Sequence, residues 1–168
     1  MTTRQFPVGE IRVEPGCPEP CRKCIDVCPT KALYAPYRID ASRCISYLTV
    51  ECADCIPFDL AEKSRDWLFG CDLCQEVCPY NQKSLYTKET AFLRHRAGPF
   101  QDLEALLSIE SEGFFRNRYA GTPLMRGKRR KLLRNACIVA VNQKAFFLRP
   151  LLEKLSLDSD LVVSSQAR

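Results

Sequence analysis

The sequence predicts an α+β chain in two parts: a cysteine-rich unit of short elements organised around bound metal, followed by an all-α segment. Three observations carry that expectation. Ten of the eleven cysteines fall in the first 90 residues. Residues 1–90 hold 11 Lys and Arg against 13 Asp and Glu, whereas residues 91–168 hold 14 against 7, so a slightly acidic half gives way to a basic one. The long stretches of helical composition lie in the second half, where apolar residues recur at the 3.6-residue period. The boundaries read from this pattern are an extension over 1–16, a metal-organised domain over 17–90 and a helical segment over 91–168.

At 168 residues the chain is one ordinary domain or two small ones. Eleven cysteines in a short secreted chain would imply disulfides, but the number is odd and the opening MTTRQFPVGE lacks the apolar run of a signal peptide. The longest apolar run, ACIVAV at 136–141, is far too short to cross a bilayer. The expectation is a cytoplasmic protein with no membrane partner, whose cysteines hold metal.

Prolines 7, 15, 18, 20, 29, 36, 57 and 79 break the first half into loops and single turns. One longer helix is predicted over 59–68, with Asp59 as its cap and Gly70 at its end. In the second half, helices are predicted over 102–109, 128–141, 144–155 and 158–167, a set that reads as part of a helical-repeat array. In the second of these, Leu132, Leu133, Ala136, Val139 and Ala140 share one face, while Arg130, Lys131 and Arg134 project from the other. Arg129 falls on the apolar side, which places the start of the packed helix just after it. Thr122 and Pro123 form a start signal, cap and first helical residue.

The cysteine spacing is the strongest signal. Cys17-x3-Cys21-x2-Cys24-x3-Cys28-Pro29 is followed by Cys71-x2-Cys74-x3-Cys78-Pro79, with Cys44 alone between them. In two-cluster ferredoxins the closely spaced thiolates hold three corners of one [4Fe–4S] cube, and the cysteine before proline reaches across to the other. The pattern therefore predicts a ferredoxin-like domain with two [4Fe–4S] clusters. Cys17, Cys21, Cys24 and Cys78 bind one cluster; Cys28, Cys44, Cys71 and Cys74 bind the other. Pro29 and Pro79 turn the chain after each crossing cysteine. Such a fold needs its metal to form. Structural zinc is the alternative, since cysteine pairs at short spacing also make tetrahedral sites. Cys52 and Cys55 form a further C-x2-C pair with no third and fourth ligand beside them; they read as free thiols, with a zinc or redox role as the other option. Cys137, on an apolar helix, reads as a small buried hydrophobe.

From about residue 17 to 142 the chain resembles epoxyqueuosine reductase. The resemblance rests on CIDVCPTKAL, APYRIDASRCISYLTVE, GCDLCQEVCPYN and GTPLMRGKRRKLLRNA. It implies a reductase that removes the epoxide oxygen of epoxyqueuosine in tRNA, using a cobalamin beside two [4Fe–4S] clusters. It implies the eight cluster ligands already named, with Ser46 and Asp72 facing the cobalamin. It also implies that the helices after residue 100 are the start of a HEAT-like repeat near the tRNA. Cys17 lies one residue upstream of the family's first ligand, and Tyr80 replaces the usual tryptophan. The family's cobalamin-binding N-terminal half has no counterpart in the residues before Cys17. The chain alone is therefore expected to need a cobalamin-binding domain or subunit, with an electron donor the sequence does not name. The alternatives are a stand-alone electron carrier or a subunit of another cobalamin-dependent reductase.

The densest charge run, RGKRRKLLR at 126–134, has two readings: phosphate contact with a tRNA anticodon stem, or a solvated helix face. On the first, Arg130, Lys131 and Arg134 are the contacts, because they share the polar face. His95 reads as a surface residue. Trp67 and the phenylalanine pairs at 114–115 and 146–147 read as core.

Overall fold

The structure, a computed structural model, describes residues 16–93, 96–98 and 100–168. Residues 1–15, which make up nearly all of the predicted extension, and His95 lie outside the described residues. The first half is built of single turns joined by proline-bearing loops. α1 (Lys23–Val27) leads into a two-stranded antiparallel hairpin, β1 (Leu33–Ala35) and β2 (Arg38–Ile39), with Leu33 opposite Ile39. Pro36 and Tyr37 make its turn, and Tyr37 takes the positive φ (59°) that such a turn demands at its second central residue. Asp40 then caps a 3₁₀ turn, Ala41–Arg43, by accepting from the Ser42 N–H at 3.0 Å. A π-helical turn follows at Tyr47–Glu51, then α2 (Phe58–Lys63) and α3 (Leu73–Glu76).

α2 is shorter than the sequence predicts, and Asp59 sits in its first turn while Pro57 occupies the cap position. Arg65 adopts φ 52° and stops the helix, a left-handed residue that no glycine announces. Gly70, at φ 79°, shapes the loop beyond and does not end the helix.

The second half packs α4 (Leu103–Leu107), α5 (Glu112–Tyr119), α6 (Lys128–Asn142), α7 (Arg149–Leu155) and α8 (Leu161–Gln166) around one apolar core. Capping explains the helix starts. Asp102 accepts from the Ala105 N–H at 2.7 Å, Ser111 from Phe114 at 3.2 Å, and Asp160 from Val162 at 3.0 Å. Thr122 precedes only a 3₁₀ turn, Pro123–Arg126, and its hydroxyl donates back to the Tyr119 carbonyl at 2.7 Å without capping it. α7 begins at Arg149, later than predicted. Lys144 ends the preceding helix at φ 55°, and Pro150 stands in the first turn of the new one.

α6 is the central element. Leu132, Leu133, Ala136, Cys137 and Ala140 join the apolar core, each fully buried aliphatic side chain contributing about 2 kcal/mol. Ile138, from the same helix, joins a second core with Leu48, Ile56, Leu60 and Ala61 of the first half. Every residue from 132 to 140 is buried, so the helix is sandwiched between the two halves rather than lying on a surface.

Two apolar expectations need correction. Phe115 is fully buried with Tyr119 one turn later, their rings 5.3 Å apart, but Phe114 lies a third of a turn round and is exposed. Phe146 and Phe147 are also exposed, because the turn they occupy buries Leu148 instead. Trp67 is half-buried. Cys137 is buried as expected, and burial pushes its thiol up to about 12.

Arg129 sits on the apolar side of α6 and is part of its packing. It donates to the Ile109 carbonyl at 2.9 Å and to Asp158 at 2.6 Å, the two side chains being 11% and 10% exposed. The Arg129 hydrogen bond holds the Asp158 carboxyl below its ordinary value despite burial. A depressed folded-state value means stability that is fully present above the unfolded carboxylate range, near pH 4, and lost as pH falls through the folded value. Asp158→Asn is therefore expected to lower the urea midpoint at pH 7 and to flatten its decline between about pH 5 and pH 3. Equal acid sensitivity in both proteins would contradict this assignment.

Candidate metal centre

The two Cys-Pro steps fold alike. The Cys28 carbonyl accepts the Lys31 N–H at 3.2 Å, and the Cys78 carbonyl accepts the Asn81 N–H at 3.0 Å. Each is a tight turn with proline at its first central position, where a fixed φ near −65° pre-sets the bend. Side chains hold both turns: Arg43 donates to the Thr30 carbonyl at 3.0 Å, and the Asn81 amide donates to the Gln75 carbonyl at 2.8 Å.

These turns bring the thiols together crosswise. Cys17 is flanked by Cys21, Cys24 and Cys78; partial burial first, and then the charges of those three, push its thiol up. Its own N–H donates to the Tyr37 hydroxyl at 2.8 Å, which anchors the loop that carries the extra residue. Cys71 is raised by burial and then by Cys44, Cys74 and Cys28, against a lowering hydrogen bond from the Leu73 N–H. Cys74 is raised by burial and by Cys44, with Cys24 and Cys28 further contributors. Each neighbourhood thus joins thiols from both Cys-Pro motifs, and Cys44 stands with the second.

Cys28 differs from the others. Burial pushes its thiol up, but N–H groups of Leu33, Ala32 and Thr30 and the Thr30 hydroxyl, 3.6 Å away, outweigh that and leave it lowered. The turn at Pro29 aims these donors at the sulfur.

The donor chemistry fits iron–sulfur clusters. Two sets of four soft thiolates, with no cation among them, need a positive core. A single zinc would draw sulfurs to within about 2.3 Å of one point. Among the described residues no three His, Cys, Asp or Glu side chains gather in that way. Each set brings four thiols near enough for their charges to act on one another. All eight ligand candidates are half-buried, and none is in a disulfide.

Ser46 is half-buried two residues after Cys44, at the head of the π-helical turn, and Asp72 is exposed at the start of α3. The Asp72 carboxylate caps nothing, although its carbonyl accepts the Gln75 and Glu76 N–H groups.

The basic face of α6 is not a free surface. Arg134 is fully buried. Its five N–H donors are all used: Nε and Nη2 to Asn135 Oδ1, Nη2 to the Leu48 carbonyl at 2.6 Å, and Nη1 to the carbonyls of Cys52 at 2.9 Å and Asp54 at 2.5 Å. Lys131 donates to the Val50 and Glu51 carbonyls at 2.7 and 3.2 Å, and burial lowers its ammonium value. Arg130 is half-exposed but pairs with Asp160 at 2.6 Å. The three share the polar face, but the expectation that this face is open to tRNA or solvent is corrected. The polar side of α6 clamps the chain that follows Cys44, and Arg134 has nothing left to offer a phosphate.

Two residues missed in the sequence complete this latch. Asn135 donates to the Thr49 and Leu68 carbonyls at 2.8 and 2.9 Å, and Asn142 to those of Ala61 and Arg65 at 2.9 and 2.7 Å. Their spacing from Lys131 and Arg134, one face of a helix, was the available signal. No helix among the described residues is long and apolar enough to cross a membrane.

The crosswise thiol arrangement fits a double-cluster iron–sulfur domain. Residues 17–81 match the 4Fe-4S double cluster binding domain family. The chain is also a relative of the epoxyqueuosine reductases over part of their length, as its CISYLT and GCDLCQEVCP segments imply. It is 40% identical over 136 residues to epoxyqueuosine reductase of Pseudomonas aeruginosa, which covers 80% of this chain and 37% of that protein. With the Cyclobacterium marinum enzyme it shares 52% identity over 75 residues, 45% of this chain and 24% of the relative. A crystal structure of epoxyqueuosine reductase with a tRNA-Tyr epoxyqueuosine-modified stem loop superposes with a TM-score of 0.79 at 30% identity, over 89% of this chain and 40% of that one. The chain thus spans well under half the length of these relatives.

Proposed function

We propose that the chain is the iron–sulfur electron-transfer module of an epoxyqueuosine reductase. It works with a cobalamin held by a partner domain or subunit, in the reduction of epoxyqueuosine to queuosine in tRNA. The observation that carries this reading is the crosswise grouping of thiols, Cys17, Cys21, Cys24 and Cys78 on one side and Cys28, Cys44, Cys71 and Cys74 on the other. When bound, the two [4Fe–4S] clusters supply one-electron carriers. The chain's residues set their environment. Backbone N–H groups at Cys28 favour negative charge on that sulfur and would favour the reduced state of a cluster bound there.

On this reading residues 17–90 are the ferredoxin-like domain and 91–168 the HEAT-like segment of a cytoplasmic protein. Ser46 and Asp72, each close in sequence to a ligand, are the residues that would contact the cobalamin. Of the basic trio, Arg130 alone keeps an exposed guanidinium for tRNA phosphate; Lys131 and Arg134 serve the interface. The tRNA stem loop in the superposed relative supports a tRNA partner.

The test supplies the other half in trans. Anaerobically reconstituted chain, mixed with the cobalamin-binding region of an epoxyqueuosine reductase, a chemical reductant and epoxyqueuosine-modified stem loop, is expected to form queuosine where neither component alone does. Rapid reduction of an added electron acceptor with no queuosine formed would favour a stand-alone carrier and overturn this reading.

A further inference from the structure

We propose that Cys52 and Cys55 are a redox-active dithiol, oxidised by a hydroperoxide to an intrachain disulfide and restored by a small thiol. The pair lies in the segment CADC, outside the eight thiols of the metal centre. Among the described residues Cys55 is the one exposed cysteine, and Cys52 is half-buried. With iron on the other eight and Cys137 buried, Cys55 is the sulfur open to solvent.

Geometry ties the two sulfurs to one buried charge. Arg134 Nη1 donates to the carbonyls at Cys52 and Asp54, gripping the turn from below. The Cys52 thiol donates to the same Asp54 carbonyl at 3.7 Å, which puts its sulfur beside that guanidinium, and Cys55 is also within reach of the Arg134 charge. The Cys55 thiol points to the Val162 carbonyl of α8 at 3.7 Å. Both thiol contacts are long, so neither sulfur is firmly held where it lies. No third ligand completes a metal site there among the described residues.

The chemistry balances as follows. The exposed Cys55 sulfur attacks the peroxide; a sulfur–oxygen bond forms, the oxygen–oxygen bond breaks, and an alcohol or water leaves with the thiol proton. The Cys52 sulfur then attacks the Cys55 sulfur; the disulfide forms, the sulfur–oxygen bond breaks, and water leaves with the second proton. Two electrons pass from the sulfurs to the peroxide. Two molecules of a small thiol reverse the change and leave as their own disulfide. Arg134, a positioning residue, offers fixed positive charge and no acceptor beside the reacting sulfurs.

The experiment uses the full chain with its clusters loaded, treated anaerobically with equimolar hydroperoxide, then alkylated and mapped by mass spectrometry. The expected result is loss of both labels, a bond joining Cys52 to Cys55, recovery of the labels with dithiothreitol, and unchanged cluster absorbance. Cys52→Ser is expected to leave a sulfenic acid on Cys55 that dimedone traps; Cys55→Ser is expected to slow oxidation of Cys52 by about tenfold or more. Any other product overturns the proposal. So does retention of both labels at a dose that bleaches the clusters.

Discussion

With Cys78 replaced by alanine, the anaerobically reconstituted chain is expected to keep about four of its eight irons, and the lost four are those nearest the other motif. Cys78 follows Cys71 and Cys74 closely in sequence but stands with Cys17, Cys21 and Cys24 in space. Alkylation of the variant should therefore label Cys17, Cys21 and Cys24, while Cys28, Cys44, Cys71 and Cys74 stay protected. Cys28→Ala should give the converse pattern, freeing Cys44, Cys71 and Cys74. Labelling of Cys71 and Cys74 in the Cys78 variant would show that each motif fills its own cluster and that the crosswise assignment is wrong.

The second large effect concerns Arg134. Replacing it with methionine keeps most of the volume but removes five donors, leaving the Leu48 carbonyl bare in a buried interface and those of Cys52 and Asp54 bare at its half-buried edge. Unsatisfied buried acceptors cost about 1–3 kcal/mol each, and loss of a buried charged partner about 3–5 kcal/mol in all. Arg134→Met is expected to lower stability by about that larger figure, read as a urea midpoint. Arg134→Lys should recover only part, since an ammonium cannot reproduce the planar fork. The same variants should leave the salt dependence of any tRNA binding unchanged. A stability within about 0.5 kcal/mol of the parent would return Arg134 to the surface.

The contrast between those two sites shows what a sequence discloses here. The cysteine spacing was legible because ligand geometry fixes how far apart in the chain thiolates on one cube can be. Proline after Cys28 and Cys78 was legible for a similar reason, since its fixed φ permits few continuations. α6 was legible as a helix from its apolar period. Its polar face was misread because periodicity says which side is polar, not what lies opposite; only the fold reveals that carbonyls of residues 48–68 fill that side. α5 went unpredicted although Ser111 and Glu112 are an ordinary start signal, because the phenylalanines that follow invite a core reading of the stretch. The early end of α2 depends on the left-handed conformation of Arg65, which its side chain does not announce.

Iron and acid-labile sulfide, counted on chain purified without oxygen, test the central claim most directly. Two cubes held across the chain require about eight of each, with a brown colour that dithionite bleaches. A folded, colourless protein holding zinc, or one that saturates at about four irons, would contradict it.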